Sequence, residues 1–324
     1  MKRYPPFHLL LLLLLMGFYA IPADAQNQSP GLQFLNIGPN ARSLAISEAH
    51  TAVLLGSENV FTNPANLVLQ NQSNLGVAYT LWLGDSYNTQ ASLNYKREKD
   101  AFGFGILSSV VDDITVRQQP GPALDDFSVR YLALAGSYSR LLGPVAIGVT
   151  GMYLFEQFFE QNASGFAFSA GLSTEFLDRR LRASAALLNY GEMNELNITS
   201  SEVPAFFKTG ISAQLIQFSA IGTTEIPLLV YVSSDFVVPV DQKRPDPATG
   251  NLIQIDPYAA FGLNAEVYEL VTLRAGYRTG DTARPVSFGA TINVKPVEFN
   301  YALVPFDTGF GTVHSISLQY NFNL

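Results

Sequence analysis

From Ser73 to the end of the chain, apolar and polar residues alternate with a period of two. In LGVAYTLWL, the residues Leu75, Val77, Tyr79, Leu81 and Leu83 share one face. In YNTQASLNYK, Tyr87, Thr89, Ala91, Leu93 and Tyr95 do so, with Asn88, Gln90, Ser92 and Asn94 opposite. Successive side chains of a strand point to opposite faces, so the pattern predicts strands with one apolar and one polar side. Such segments fall near 73–83, 86–96, 100–111, 128–140, 143–156, 163–175, 180–190, 205–216, 227–237, 257–267, 269–279, 284–294, 296–305 and 312–323. That makes fourteen, an even number, as an antiparallel sheet closing on itself normally requires. Their lengths suit a bilayer, which roughly nine to eleven tilted residues cross.

Connections alternate in kind. Tight ones include REKD at 97–100, LLGP at 141–144, LDRR at 177–180 and VYEL at 267–270. Long polar ones lie at 112–126, 191–204 and 237–257. Short turns at one end and long loops at the other are expected of a transmembrane barrel. Tyr79, Trp82, Tyr87, Tyr95, Tyr131, Tyr138, Tyr153, Tyr190, Tyr268, Tyr277 and Tyr301 are placed to form the aromatic girdles at its two interfaces. The Gly, Ala and Ser residues of 136–151 and 165–171 relieve crowding, at a curved wall or against a segment inside the barrel.

Residues 26–72 break the pattern. FLNIGPNARSLAISEAHTAVLLGSENVFTNPANLV has small residues, short helical patterns around Ala41 to Leu55 and an Asn-Pro-Ala turn at 63–65. Two placements fit, a plug lining the lumen or a periplasmic lid. Arg42 is the only basic side chain between Gln26 and Tyr95 apart from His50. Inside a lumen it would need Glu48 or a wall carboxylate as partner, and an exposed Arg42 would need neither.

Composition narrows the class. The chain has 324 residues, 48% hydrophobic and 14% charged, with no cysteine, a net charge of -8 and a mean hydropathy of +0.15. Soluble domains carry about 25% charged residues. The single long apolar run is N-terminal, in MKRYPPFHLLLLLLLMGFYAIPADAQ, where Lys2 and Arg3 precede an apolar core and Ala23-Asp24-Ala25 offers a small-x-small cleavage site. This predicts a signal peptide over 1–25, a plug-like segment over 26–72 and a barrel over 73–324. With export and no later helical span, the expected fold is all-β: a 14-stranded antiparallel transmembrane β-barrel with a short N-terminal helical plug, in the bacterial outer membrane. The acidic balance argues against nucleic acid as a partner.

Candidate chemistry is sparse. His8, His50 and His314 are too scattered for a metal site, and no nucleotide loop or H-E-x-x-H is present, so no cofactor and no metal are expected. A hydrolase would need a Ser or Asp beside His314 in space. The pairs Asp112-Asp113 and Asp125-Asp126 offer oxygen ligands to a divalent cation, though a solvated loop explains them as well.

The segment 37–67 resembles the opening of the PorV/PorQ family, related to FadL-like outer-membrane barrels. The resemblance rests on Gly38, Ala41, Arg42, Ser43, Leu44 and Ala45 followed by Asn63, Pro64 and Ala65, and on LRAGYRTGD, SFGATI, FNYALVPF and GTVHSISLQYNF near the end. It implies a fourteen-stranded barrel of a Bacteroidota-like bacterium, acting without catalysis in type IX secretion. The implied partners are secretion-system subunits or exported cargo bearing a C-terminal signal domain. The longest loop is then the expected contact surface, with Phe236, Val237, Val238, Leu252, Ile253 and Ile255 at its apolar margins. The alternative is a FadL-like channel for hydrophobic small molecules, with a ligand in the lumen and outer-membrane lipid around the wall. Tight polar contacts about Arg42 and Asn63 would suit a fixed plug, and an apolar cavity beside it would suit transport.

Overall fold

The structure, a computed structural model, describes residues 31–116, 125–196, 199–218, 227–245, 252–307, 309 and 311–323. The expected signal peptide lies outside them. Side chains are also outside the described set at 113–116 and 125–127, so of the two acidic pairs only Asp112 is described.

Fourteen strands form one closed ring. They are β1 (Ser73–Leu81), β2 (Ser86–Arg97), β3 (Asp100–Val116), β4 (Asp125–Leu142), β5 (Val145–Phe158), β6 (Gln161–Phe176) and β7 (Leu181–Met193). The second half is β8 (Ala205–Phe218), β9 (Leu228–Val240), β10 (Tyr258–Val267), β11 (Val271–Arg278), β12 (Val286–Val294), β13 (Val297–Pro305) and β14 (Thr312–Phe322). Each strand pairs antiparallel with its neighbours in sequence. The ring closes where β1 meets β14, from Ser73 opposite Phe322 to Leu81 opposite His314. Two small hairpins stand outside it: Glu195–Leu196 with Thr199–Ser200, and Lys243–Pro245 with Leu252–Gln254.

The alternation reads as anticipated. Leu75, Val77, Tyr79 and Leu81 are exposed on the outer wall, while Asn88, Gln90, Ser92 and Asn94 are buried inside. Phe104, Phe168, Ile211, Leu273 and Ile316 continue the exposed apolar belt around the ring. Among the described residues no helix is long and apolar enough to cross a membrane, so the crossing elements are the strands. A closed sheet with an apolar exterior pairs every backbone group without water, which is the bacterial outer-membrane solution.

The four tight connections join strands at the end where β1 begins and β14 finishes, and the strands flanking 112–126, 191–204 and 237–257 end at the other. Three details differ from expectation. Tyr131 faces inward and stacks on Phe34 at 5.6 Å, so it is not a girdle residue. Trp82 packs against the Ala302, Val304 and Val313 cluster, edge-on to Phe306, so it is not a girdle residue either. Phe236, Val237 and Val238 are not loop at all. They belong to β9, with Phe236 outward and Val237 buried inward. The sheet runs three residues beyond the expected end, through Val238, Pro239 and Val240, because β8 continues to pair with them.

Residues 31–72 fill the lumen, which settles plug against lid. This inner segment holds α1 (Ala41–Ala45), α2 (Asn59–Thr62) and short 3-10 turns at Gln33–Asn36, Gly56–Glu58 and Pro64–Leu67. A helix of five residues is not stable alone. Here Asn40 caps α1 by accepting from the Ser43 backbone, and Leu44, Ile46, Val60, Leu67 and Val68 bury their side chains.

The wall gives way to this segment by losing side chains. A Cβ on Gly148 would come within 2.4 Å of the Pro64 carbonyl carbon and 2.5 Å of the Ala65 nitrogen; one on Gly276 would come within 2.3 Å of Ile46 and Ser47 backbone. Gly136, one strand away on the lipid face, has nothing within 4 Å. Gly148→Val is therefore expected to destabilise the folded protein by about 1–3 kcal/mol through overpacking, while Gly136→Val is near neutral. Thermal melts of the two variants check this, and equal shifts would reject it.

Candidate functional site

Four polar anchors hold the inner segment. The first centres on Arg42. Its Nη1 lies 3.1 Å from Glu298 Oε2 on β13 and its Nη2 lies 3.1 Å from Glu58 Oε2 within the segment. It also donates to the Leu55 carbonyl and to Gln319 Oε1 on β14. A wall carboxylate is thus one partner, as the lumen placement required. Glu48 is not the other. That carboxylate pairs with Arg278 of β11 and, at 3.1 Å, with Arg284, and its Oε1 accepts the Gly38 backbone N–H.

Asp235 of β9 makes the third anchor. Its Oδ2 accepts from the backbone of His50 at 3.0 Å and of Thr51 at 2.9 Å, and from the Thr51 hydroxyl at 2.6 Å. The fourth is the Asn-Pro-Ala turn. Asn63 Oδ1 accepts from the Ala65 N–H, while its Nδ2 donates to the Thr51 carbonyl and to Ser173 Oγ on β6. Gly38, Ala41, Arg42, Ser43, Asn63, Pro64 and Ala65 are thus all inside the barrel, where they cap turns, pair charges or fit against wall glycines. Sequence reading missed Asp235, Arg278 and Arg284. For Asp235 and Arg278 the available signal was a charge on the inward parity of an otherwise apolar strand; Arg284 lies in the connection between β11 and β12 and offered no such signal.

Beside this segment is a recess. It lies between Leu35–Pro39 and the inner faces of β3, β7 and β8, with Phe61, Leu107, Leu188 and Phe206 as its apolar walls. His50, Lys208 and Tyr258 supply its polar side. The free space is about 30 Å³, within a recess of about 510 Å³ including its open mouth. At its edge the barrel wall is irregular. The β6–β7 register slips between Phe168 and Ala170, and Asn189 sits bulged at φ 56° with its N–H turned to Ser169 Oγ. Leu188 and Asn189 are consecutive and both buried, which strict alternation forbids.

His50 belongs to the inner segment rather than to a crossing strand. Its Nδ1 is 2.7 Å from Ser43 Oγ, and burial, with the Lys208 charge adding to it, holds its pKa well below the ordinary histidine range. Glu48 and Asp235 are the acidic groups near it. Its unfolded form takes a proton near 6.5 and the seated form does not, so the released state binds more protons as pH falls. Stability is expected to drop on acidification below about pH 6.5, and His50→Gln should flatten part of that slope in melts across neutral and mildly acidic pH.

The other expected sites do not assemble. His314 faces outward, 2.7 Å from the Tyr301 hydroxyl, while its neighbour Ser315 points inward to Thr80. Among the described residues, no Ser or Asp hydrogen-bonds to His314. Leu252 and Ile253 are exposed on the outer hairpin, and the Ile255 N–H bonds the Gln242 carbonyl.

No protein-family model matches this sequence, and no curated protein matches it. Solved structures do match its fold. The CymD monoaromatic hydrocarbon channel aligns with a TM-score of 0.60 at 14% identity, over 91% of this chain and 100% of that one. The Pseudomonas putida toluene transporter TodX gives 0.59 at 12% identity, over 92% and 99%. A Pseudomonas aeruginosa FadL homologue gives 0.54 at 11%, over 88% and 98%. These likenesses correct the PorV/PorQ attribution, and with it the type IX role, the secretion partners and the Bacteroidota origin. The motif of 37–67 anchors a segment inside a barrel, a physical task that does not specify secretion. What the chain shares is the 14-stranded fold of FadL-type outer-membrane channels.

Proposed function

We propose that this protein is a non-catalytic outer-membrane channel through which small hydrophobic molecules pass. The recess between the inner segment and the wall carries the reading. Apolar side chains from both surround it, and it ends at the one place in the β6–β7 seam where the register slips. A ligand held there would meet Leu188 and Asn189 and leave sideways into lipid through the irregular seam. The structural neighbours described as handling monoaromatic hydrocarbons and toluene support the same ligand class.

The test is uptake of labelled toluene by cells that lack or express the protein. Expression should raise the initial rate several-fold, and Leu188→Trp, which fills the recess, should cancel that gain while leaving a folded barrel in the membrane. Uptake that is independent of the protein, or indifferent to Leu188→Trp, would reject the channel.

A further inference from the structure

We infer that the recess is built for a compact aromatic carboxylate, whose anionic group is received by Lys208. The inference rests on the channel reading above and adds the chemistry of the ligand's polar end.

Lys208 projects inward from β8 and its residue is only 8% exposed. Inward cations elsewhere in the barrel are provided for. Arg42, Arg182, Arg278 and Arg284 each have a carboxylate in reach. Arg274 donates to the Thr291 hydroxyl, and Lys96 to the Gln70 carbonyl. Among the described residues, Lys208 has neither a carboxylate nor a hydrogen-bond acceptor. Its Nζ lies 5.6 Å from the centroid of the Phe206 ring. A cation–π contact does not replace the hydration that a buried ammonium gives up.

Asp235 is the obvious counter-ion, and its charge acts on Lys208 across the strand pair, but no ion pair joins the two groups. It lies on the paired strand, opposite Gly210, two positions along from Val237, which faces Lys208. Its Oδ2 is committed to His50 and Thr51, and its Oδ1 is buried without a partner. Two opposite charges are therefore held near one another unjoined. The ammonium lines the recess, where a ligand carboxylate would complete it with a charge-assisted bond.

The remaining walls define the rest of the ligand. Phe61, Phe206 and Tyr258 present rings, and Leu35, Ile37 and Leu188 present aliphatic surface. Aromatic ligands gain from offset or edge contacts with such rings. Thr62 and His50 of the anchored inner segment also border the recess, which favours a short body over a long chain. Entry requires Leu35–Pro39 to move, since the free space is now about 30 Å³.

The experiment compares benzoate with toluene, which differ by one functional group, in calorimetric titrations of the purified full-length protein in detergent. Wild type should bind benzoate at least about tenfold more tightly than toluene. In Lys208→Met the benzoate-to-toluene affinity ratio should fall at least about tenfold, and in Lys208→Arg it should be retained. Resistance of the barrel to unfolding in unheated detergent gels confirms that each variant is folded. An unchanged ratio in Lys208→Met overturns the inference. Wild-type binding of toluene without benzoate also overturns it and leaves the channel intact, whereas binding of neither overturns both.

Discussion

Replacing Arg42 with methionine is expected to cost about 3–5 kcal/mol of stability, the usual penalty for removing one member of a buried charge group. The side chain is 7% exposed, and Glu58 is 1% exposed. Without the guanidinium, Glu58 becomes a buried carboxylate with no cation, and Glu298 loses its ion pair while keeping the Asn321 and Gln319 amides. Methionine preserves most of the volume, so the loss reports charge rather than a cavity. The position magnifies the effect. Glu58 abuts Gly76 of β1, Glu298 is on β13 and Gln319 is on β14. The Arg42 cluster therefore spans the seam that closes the ring. Arg42→Met should lower the melting temperature and yield barrels that unfold in unheated detergent gels. Adding Glu58→Gln should recover part of the loss, because it removes the stranded charge. A melt indistinguishable from wild type would show that the cluster contributes nothing to closure.

The barrel was legible because lipid imposes one rule on every strand. Fourteen segments with apolar residues on one parity left few other folds, and each fell within a few residues of an observed strand. Boundaries failed where the rule lapses. β3 and β4 extend to Val116 and back from Asp125, past the ends that the alternation predicts at 111 and 128. Tyr131 and Trp82 were misplaced for a related reason: an aromatic ring suits an interface and a lumen packed with protein equally well. Composition could not place the inner segment, because small residues and caps suit a lid as readily as a plug. Its anchors pair positions far apart, such as Arg42 with Glu298 and Glu48 with Arg278, and one sequence carries no record of such pairings. What the sequence did offer was the oddity of Lys208 in AFFKTGIS and Asp235 in SSDFVV. A charge on the inward parity of an apolar strand marks either an anchor or a ligand contact.

Asp235→Ala should release the middle of the inner segment without unfolding the barrel. The carboxylate is buried, and one oxygen receives two backbone N–H groups and a hydroxyl. Hydrogen bonds to a charged group contribute about 1.5–3 kcal/mol each, and a buried N–H left unmade costs about 1–3 kcal/mol. Removing the carboxylate also ends its own desolvation cost, so global stability should change less than the sum suggests. The local effect is larger, because the turn it holds is strained. Ser47 and Glu48 have φ values of 49° and 63°, in the left-handed region, and neither is glycine. Such backbone persists only where surrounding contacts over-determine it. Ser287 and the two arginines hold one side of this turn, and Asp235 holds the other. With that side freed, amide exchange over 46–53 should accelerate at least about tenfold, which is about 1.4 kcal/mol less opening free energy. Planar-bilayer recordings should show open steps that are rare in wild type. Asp235→Asn keeps one acceptor oxygen and should fall between the two. If exchange over 46–53 matches wild type in the alanine variant, the segment is held by burial alone, and the axis is closed by packing rather than by this clamp.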